Sequence, residues 1–124
     1  MIIGTGIDLV EVERIEAKLR KENGFREKVF SKKEIAYCES QTNMAQHFAA
    51  RFAAKEAFLK AIGQGLQAGY ELCELEIVVD TLGKPSLNVR GTFLNYLPSD
   101  RPVRIHVSMS HLQTVASAVV IVET

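Results

Sequence analysis

Three residues of this 124-residue chain stand out as able to do chemistry. Asp8 lies inside an apolar N-terminal run, and Glu56 and Lys60 lie inside the segment RFAAKEAFLKAIGQG, residues 51–65. At about 100° per residue, Phe48, Phe52, Leu59 and Ile62 form one apolar stripe of a helix. Ala50, Ala54, Ala57 and Ala61 cover the opposite side. A helix apolar on nearly every side is a buried helix. Glu56 and Lys60 nevertheless share a narrow strip of it, and Arg51 and Lys55 stack one turn apart on another. A buried charge without a partner costs several kcal/mol, roughly, in lost hydration. Glu56 is therefore expected to pair with Lys60 or Lys55, or to bind a cation.

Strand alternation puts Asp8 on one face with Gly4 and Gly6, which leaves room beside the carboxylate for a ligand or a close backbone. Asp8 has a second possible use, as a cap for the helix that starts at Glu11. Near the C-terminus, VRIHVSMS places His106, Ser108 and Ser110 on one strand face. Ile105, Val107 and Met109 share the other with His111. No nucleophile-elbow pattern accompanies these serines and histidines, so hydrolase chemistry is set aside. Gly4-Thr5-Gly6 has neither a third glycine nor a helix directly after it, and no phosphate-binding loop signature occurs elsewhere.

The elements that must position these groups are readable in outline. Ile2–Val10 is predicted as a strand. Glu11–Lys21 is predicted as a helix with Val12, Ile15 and Leu19 on its buried face, stopped by Asn23-Gly24. Ser31 and Glu34 have the spacing of a capping box for a short helix. Residues 40–45 approach the long helix, which spans about Met44–Ile62. Leu75–Asp80 and Pro85–Arg90 flank the turn Thr81–Lys84 as a hairpin. Gly91–Leu97 is predicted as a short helix. Val103–Ser110 and Val115–Val122 are predicted as strands joined by a turn at His111–Thr114. The expected fold class is α+β, a mainly antiparallel sheet packed on one long helix, in a single domain spanning 1–124.

Hydrophobic residues make up 47% of the chain and charged residues 24%, an ordinary globular composition. No apolar run approaches the roughly 20 residues needed to span a bilayer, and MIIGTGID lacks the features of a signal peptide. A cytoplasmic protein is expected, with Cys38 and Cys73 as free thiols. Net charge is zero, but the charge is unevenly distributed. Residues 14–33 hold eight basic side chains against three acidic ones. The stretch lacks a stacking array, so an acidic protein suits it better than nucleic acid.

GIDLVEVERI (6–15), RFAAKEAFLKAIGQG (51–65) and HVSMSH (106–111), in that order, resemble the signature motifs of the holo-[acyl-carrier-protein] synthases. These are the small bacterial class of 4′-phosphopantetheinyl transferases. The resemblance covers the whole chain. It implies transfer of phosphopantetheine from coenzyme A to a serine of an acyl carrier protein, with adenosine 3′,5′-bisphosphate as the second product. It implies Asp8 and Glu56 as ligands of Mg²⁺, with Lys60 near the phosphates. Arg51, Ser110 and His111 join Lys60 about the coenzyme. Larger relatives have a second acidic residue where this chain has Val10, so two carboxylates plus waters are expected here, a set that suits Mg²⁺. Homotrimers with active sites between subunits are implied as well. The basic stretch would then meet the acidic carrier protein, with Arg14, Lys21, Arg26 and Lys28 as its cations and Phe25 as an apolar anchor. Two other readings remain beside this one: a coenzyme-binding module without transfer, and an interaction domain whose carboxylates only form internal ion pairs.

Overall fold

The computed structural model describes residues 1–65 and 71–124. Its element order is β1 (Ile2–Glu11), α1 (Val12–Arg20), α2 (Phe25–Val29), α3 (Lys32–Glu39), α4 (Met44–Ala61), β2 (Leu75–Val79), β3 (Pro85–Val89), β4 (Arg104–His111) and β5 (Val115–Glu123). Short 3₁₀ turns occupy Leu72–Glu74 and Gly91–Tyr96. The α+β class holds, but the antiparallel strands fall into two sheets. One has the order β1-β5-β4 and the other is the β2-β3 hairpin. The hairpin turn is closed by Asp80, whose Oδ1 accepts from Leu82 N at 2.8 Å and Lys84 N at 2.9 Å.

α4 lies across the three-stranded sheet. Phe48, Ala49, Ala50, Ala53, Ala54, Ala57, Phe58 and Leu59 are all buried, as a helix apolar on every side requires. The two N-terminal glycines explain how closely it lies. A Cβ on Gly4 would fall 1.9 Å from the Ala61 carbonyl oxygen, and one on Gly6 would fall 1.8 Å from that of Ala57. The space beside Asp8 is thus filled largely by helix backbone. Asp8 itself is a strand residue, and α1 begins only at Val12, so it caps no helix.

Lys55 answers one question left open above. Its side chain has no exposed surface, and its ammonium pairs with Glu34 Oε1 at 2.7 Å. It also donates to the carbonyls of Val29 and of Leu72, the latter at 3.1 Å. Glu34 is the capping-box residue: its Oε1 accepts from Ser31 N at 2.8 Å while Ser31 Oγ accepts from Glu34 N at 3.2 Å. Its Oε2 accepts from Ile77 N at 3.1 Å. One ion pair therefore joins α4 to the end of α2, to α3, to the Leu72 turn and to β2. Burial pulls the Lys55 ammonium below its ordinary value, and the Glu34 charge opposes that pull.

Cys38 and Cys73 are free, and burial pushes the Cys38 thiol up to about 11, which makes it a poor nucleophile.

Removing one member of a buried pair leaves the other charge desolvated and alone. Lys55→Ala is expected to lower the unfolding free energy by about 3–5 kcal/mol, read from urea denaturation. Lys84→Ala, on the exposed hairpin turn, is expected to leave it nearly unchanged.

Candidate active site

β1, α1 and α4 meet around a cavity of about 240 Å³ lined by Asp8, Arg14, Ile15, Lys18, Phe52 and Glu56 among others. Asp8 comes from the α4-facing side of β1, opposite Ala118 of β5. Glu56 reaches the cavity because the α4 strip it occupies turns toward β1 and α1. The floor is apolar: Ile15 is 1% exposed and Phe52 is packed against the core.

Lys60 does not pair with Glu56. Its ammonium donates to the Ile7 carbonyl at 2.9 Å and to Asp8 Oδ1 at 3.1 Å. With Lys55 committed to Glu34, neither lysine takes the Glu56 carboxylate, and Glu56 forms no salt bridge among the described residues. Its acidity records this. Burial first, and then the neighbouring Asp8 charge, hold its carboxyl above the ordinary 4.5, with Lys60 and Lys18 pulling the other way. Two adjacent carboxylates, one without a counter-ion, form a donor set for a hard cation that keeps several waters. Among the described residues no cluster of three or more His, Cys, Asp or Glu side chains offers a complete protein cage.

Arg51, Ser110 and His111 are not brought to this cavity. Arg51 lies on the other flank of α4, where its guanidinium stacks 4.5 Å from the Tyr37 ring centre and donates to the His47 carbonyl at 3.3 Å. Arg51 is 3% exposed, and its Nε is buried without a hydrogen-bond partner. His111 belongs to β4 rather than to the turn after it. Its Nδ1 lies 2.8 Å from Gln46 Oε1, and its ring is 5.0 Å from that of His47. Ser110 is exposed on the outer side of the sheet, opposite Ser117. β4 is separated from β1 by β5, about 10 Å at the usual strand spacing.

The basic stretch also divides. Arg14 lines the cavity, and Lys21 and Lys28 are exposed. Arg26 is spent internally: it pairs with Glu39, lies 3.4 Å from the Leu19 carbonyl and stacks over Phe48. Phe25 is half-buried rather than a projecting anchor, with its ring 6.1 Å from Phe30 and 6.3 Å from Phe52.

Two residues were not singled out in the sequence. Lys18 lies in the cavity wall, one helical turn from Arg14, and that spacing was its only signal. His47 lies one turn before Arg51 and packs between Tyr37 and His111. Burial, His111 and Arg51 together hold its imidazole below the ordinary value.

The family model of the 4′-phosphopantetheinyl transferase superfamily matches residues 4–120. The chain belongs to this superfamily. A curated relative from Syntrophus aciditrophicus, named holo-[acyl-carrier-protein] synthase, is 48% identical over 99% of this chain and 97% of its own length. A solved complex of the Chronobacterium ammoniagenes synthase with CoA is similar with a TM-score of 0.85 and 27% identity, covering 97% of this chain and 96% of that one. The Bacillus anthracis holo-(acyl-carrier-protein) synthase in complex with CoA is similar with a TM-score of 0.81 and 32% identity, over 100% and 98% of the two chains. As a phosphopantetheinyl transferase, this chain acts by group transfer, which needs charge neutralisation and alignment more than a protein nucleophile.

The raised pKa of Glu56 has a definite sign in stability. The folded state holds this proton more tightly than the unfolded chain does. The stabilisation is therefore present below about pH 4.5 and is lost as pH rises through the higher folded value. At neutral pH the ionised carboxylate is a cost. Glu56→Gln is expected to raise the melting temperature in metal-free buffer at pH 7, with the gain disappearing below about pH 4. Thermal scans across pH check this.

Proposed function

We propose that this chain transfers 4′-phosphopantetheine from coenzyme A to a serine of apo-acyl carrier protein, with Mg²⁺ as cofactor, for fatty-acid biosynthesis in the cytoplasm. The meeting of Asp8 and Glu56 at one cavity, with Lys60 paired to Asp8 beside it, carries the reading, because it joins residues of the first two motifs into a site suited to a metal-bound diphosphate. Relatives solved with CoA support the choice of donor. The names of the curated relatives support the choice of acceptor. No described helix is long and apolar enough to cross a membrane.

Asp8 and Glu56 would hold the Mg²⁺, which when bound supplies charge neutralisation to the pyrophosphate. Lys60 adds an accessible cation: its ammonium donates to a backbone carbonyl and one carboxylate oxygen, and its side chain is 56% exposed. The acceptor serine arrives on the partner, so the chain needs no nucleophile of its own. The serine oxygen bonds to the phosphorus that carries pantetheine as that phosphorus parts from the bridging oxygen. Adenosine 3′,5′-bisphosphate leaves with the bond electrons, and the serine proton passes to water or a base. Arg14, Lys21 and Lys28 remain available to an acidic carrier protein, whereas Arg26 and Phe25 chiefly hold α2 in position.

A homotrimer with sites between subunits accounts for the groups left on the far flank. Arg51, His47 and His111 cannot share one coenzyme with Asp8 of their own subunit without spanning α4, but a neighbour can present them. The outer face of the sheet supports assembly: Ile3, Ile7, Leu9 and Val119 are 40%, 65%, 69% and 38% exposed, a larger apolar group than an isolated surface side chain.

Incubation with apo-carrier protein, coenzyme A and Mg²⁺ is expected to add one phosphopantetheine to the carrier by intact mass. Absence of that gain with several bacterial carriers overturns the reading. Asp8→Ala and Glu56→Ala are each expected to lower kcat by about 100-fold or more, the scale of a lost electrostatic contact in a transition state.

Subunit mixing tests the interfacial site. Asp8→Ala and His111→Ala proteins, each impaired at low coenzyme A, should regain about a quarter of wild-type activity when unfolded and refolded together in equal amounts. In a cyclic trimer a quarter of the interfaces then pair two intact halves. No recovery would place both residues in one subunit's site.

A further inference from the structure

Lys60 is a counter-ion to a carboxylate that a metal would also use. Its ammonium donates to Asp8 Oδ1 at 3.1 Å and to the Ile7 carbonyl at 2.9 Å. Asp8 is the more buried partner, with a side chain 16% exposed against 56% for Lys60. A desolvated carboxylate gives up one counter-ion only in exchange for another. Lys60 also lies in the last turn of α4, where the helix dipole favours a cation. Its field reaches the second carboxylate as well. Burial and the Asp8 charge push the Glu56 carboxyl up, and Lys60 is one of the two lysines that oppose them. Among the described residues Lys60 forms no salt bridge with any carboxylate but Asp8.

A divalent cation that takes Asp8 Oδ1 must displace the ammonium from that oxygen or share it, and two cations on one carboxylate repel each other. The Ile7 carbonyl is a neutral acceptor and compensates only part of what the displaced lysine loses. A diphosphate changes the balance. It adds negative charge beside the metal and offers the exposed ammonium charged acceptors in place of Asp8. Cation and diphosphate then each remove an obstacle to the other.

We propose that Lys60 couples metal binding to coenzyme binding: seated on Asp8, it holds the affinity for a divalent cation down until a diphosphate takes its ammonium. This rests on the transfer reading above, and it gives Lys60 a second task beside the charge it brings to the pyrophosphate. A cation arriving alone meets an oxygen that is already paired, whereas the same cation arriving with a diphosphate does not. Replacement by methionine keeps the aliphatic stem on α4 and removes the charge.

The test is Mg²⁺ titration by calorimetry of wild type, Lys60→Met, Lys60→Arg and the remote control Lys84→Met. Each is measured alone and with excess coenzyme A, after subtraction of Mg²⁺ binding to coenzyme A in buffer. No carrier protein is present, so nothing turns over. Without coenzyme, Lys60→Met is expected to bind Mg²⁺ roughly fivefold or more tightly than wild type, the scale of one partly exposed charge contact set against a divalent ion. Lys60→Arg and Lys84→Met should stay near wild type. The factor by which coenzyme A raises Mg²⁺ affinity should be larger in wild type than in Lys60→Met, and linkage requires the same factor in coenzyme affinity with and without Mg²⁺. Melting temperature gives a second readout: without coenzyme it should begin to rise at lower Mg²⁺ concentration in Lys60→Met than in wild type. Unchanged or weaker Mg²⁺ binding by Lys60→Met alone overturns the proposal, and so does an equal effect of coenzyme A in the two proteins. Wild type that takes up no Mg²⁺ even with coenzyme A would instead defeat the metal-dependent transfer reading, so the two failures are distinct.

Discussion

The closest constraint in this molecule is the contact of α4 with β1, where the carbonyls of Ala57 and Ala61 occupy the space that side chains at Gly6 and Gly4 would fill. The arrangement of the candidate site follows from that approach. Two residues after Gly6 the strand presents Asp8 on the same face. One residue before Ala57 the helix presents Glu56 at its margin. Lys60, one turn further on, then reaches Ile7 and Asp8. A larger residue at either glycine would push the helix off the strand, and the two carboxylates would part although neither had been altered.

The other flank of α4 is held by a different interaction. Alanine packing suits a helix lying on a sheet but gives little grip to the short segments α2 and α3, which are too brief to be stable alone. Lys55 and Glu34 provide it. A buried pair of this kind gives little net stability against an apolar equivalent. What it gives here is position: three acceptors on Lys55 and three donors on Glu34 define where α2, α3 and β2 sit. That position carries Tyr37 to Arg51 on one side. With Phe25, it also carries the α2 turn against the cavity floor on the other.

Much of this was legible in the sequence, because the informative signals were local. The all-round apolar character of residues 48–62, the Ser31–Glu34 capping box and the turn at residues 81–84 depend on spacing alone, and each appears where spacing puts it. What spacing could not supply was the choice among partners. Glu56 had Lys60 and Lys55 within one turn, yet both go elsewhere, to β1 and to α3. Arg26 read as a free surface charge, but the fold brings Glu39 to it from thirteen residues away. The strands could not be divided into two sheets either, because antiparallel pairing partners are fixed by tertiary contacts. Gly4 and Gly6 predicted a close approach without saying whether helix or ligand makes it.

The arrangement of charge across α4 bears on why the site would be shared between subunits. One helix carries Glu56 and Lys60 on one margin and His47 and Arg51 on the other, and its sheet-facing surface is too tightly packed for a ligand to pass beneath. A long anionic substrate reaching both sets of groups within one subunit would have to wrap around the helix, over Phe48 and Phe58, which are fully buried. Placing the two sets on adjacent copies removes that conflict, since each helix then serves two substrates, one from each margin. The apolar outer face of β1 and β5 provides a surface on which such copies can meet. Under such an assembly the orphaned Arg51 Nε would lie on the margin offered to the neighbouring subunit's substrate, where an anion would give it the partner its own subunit lacks.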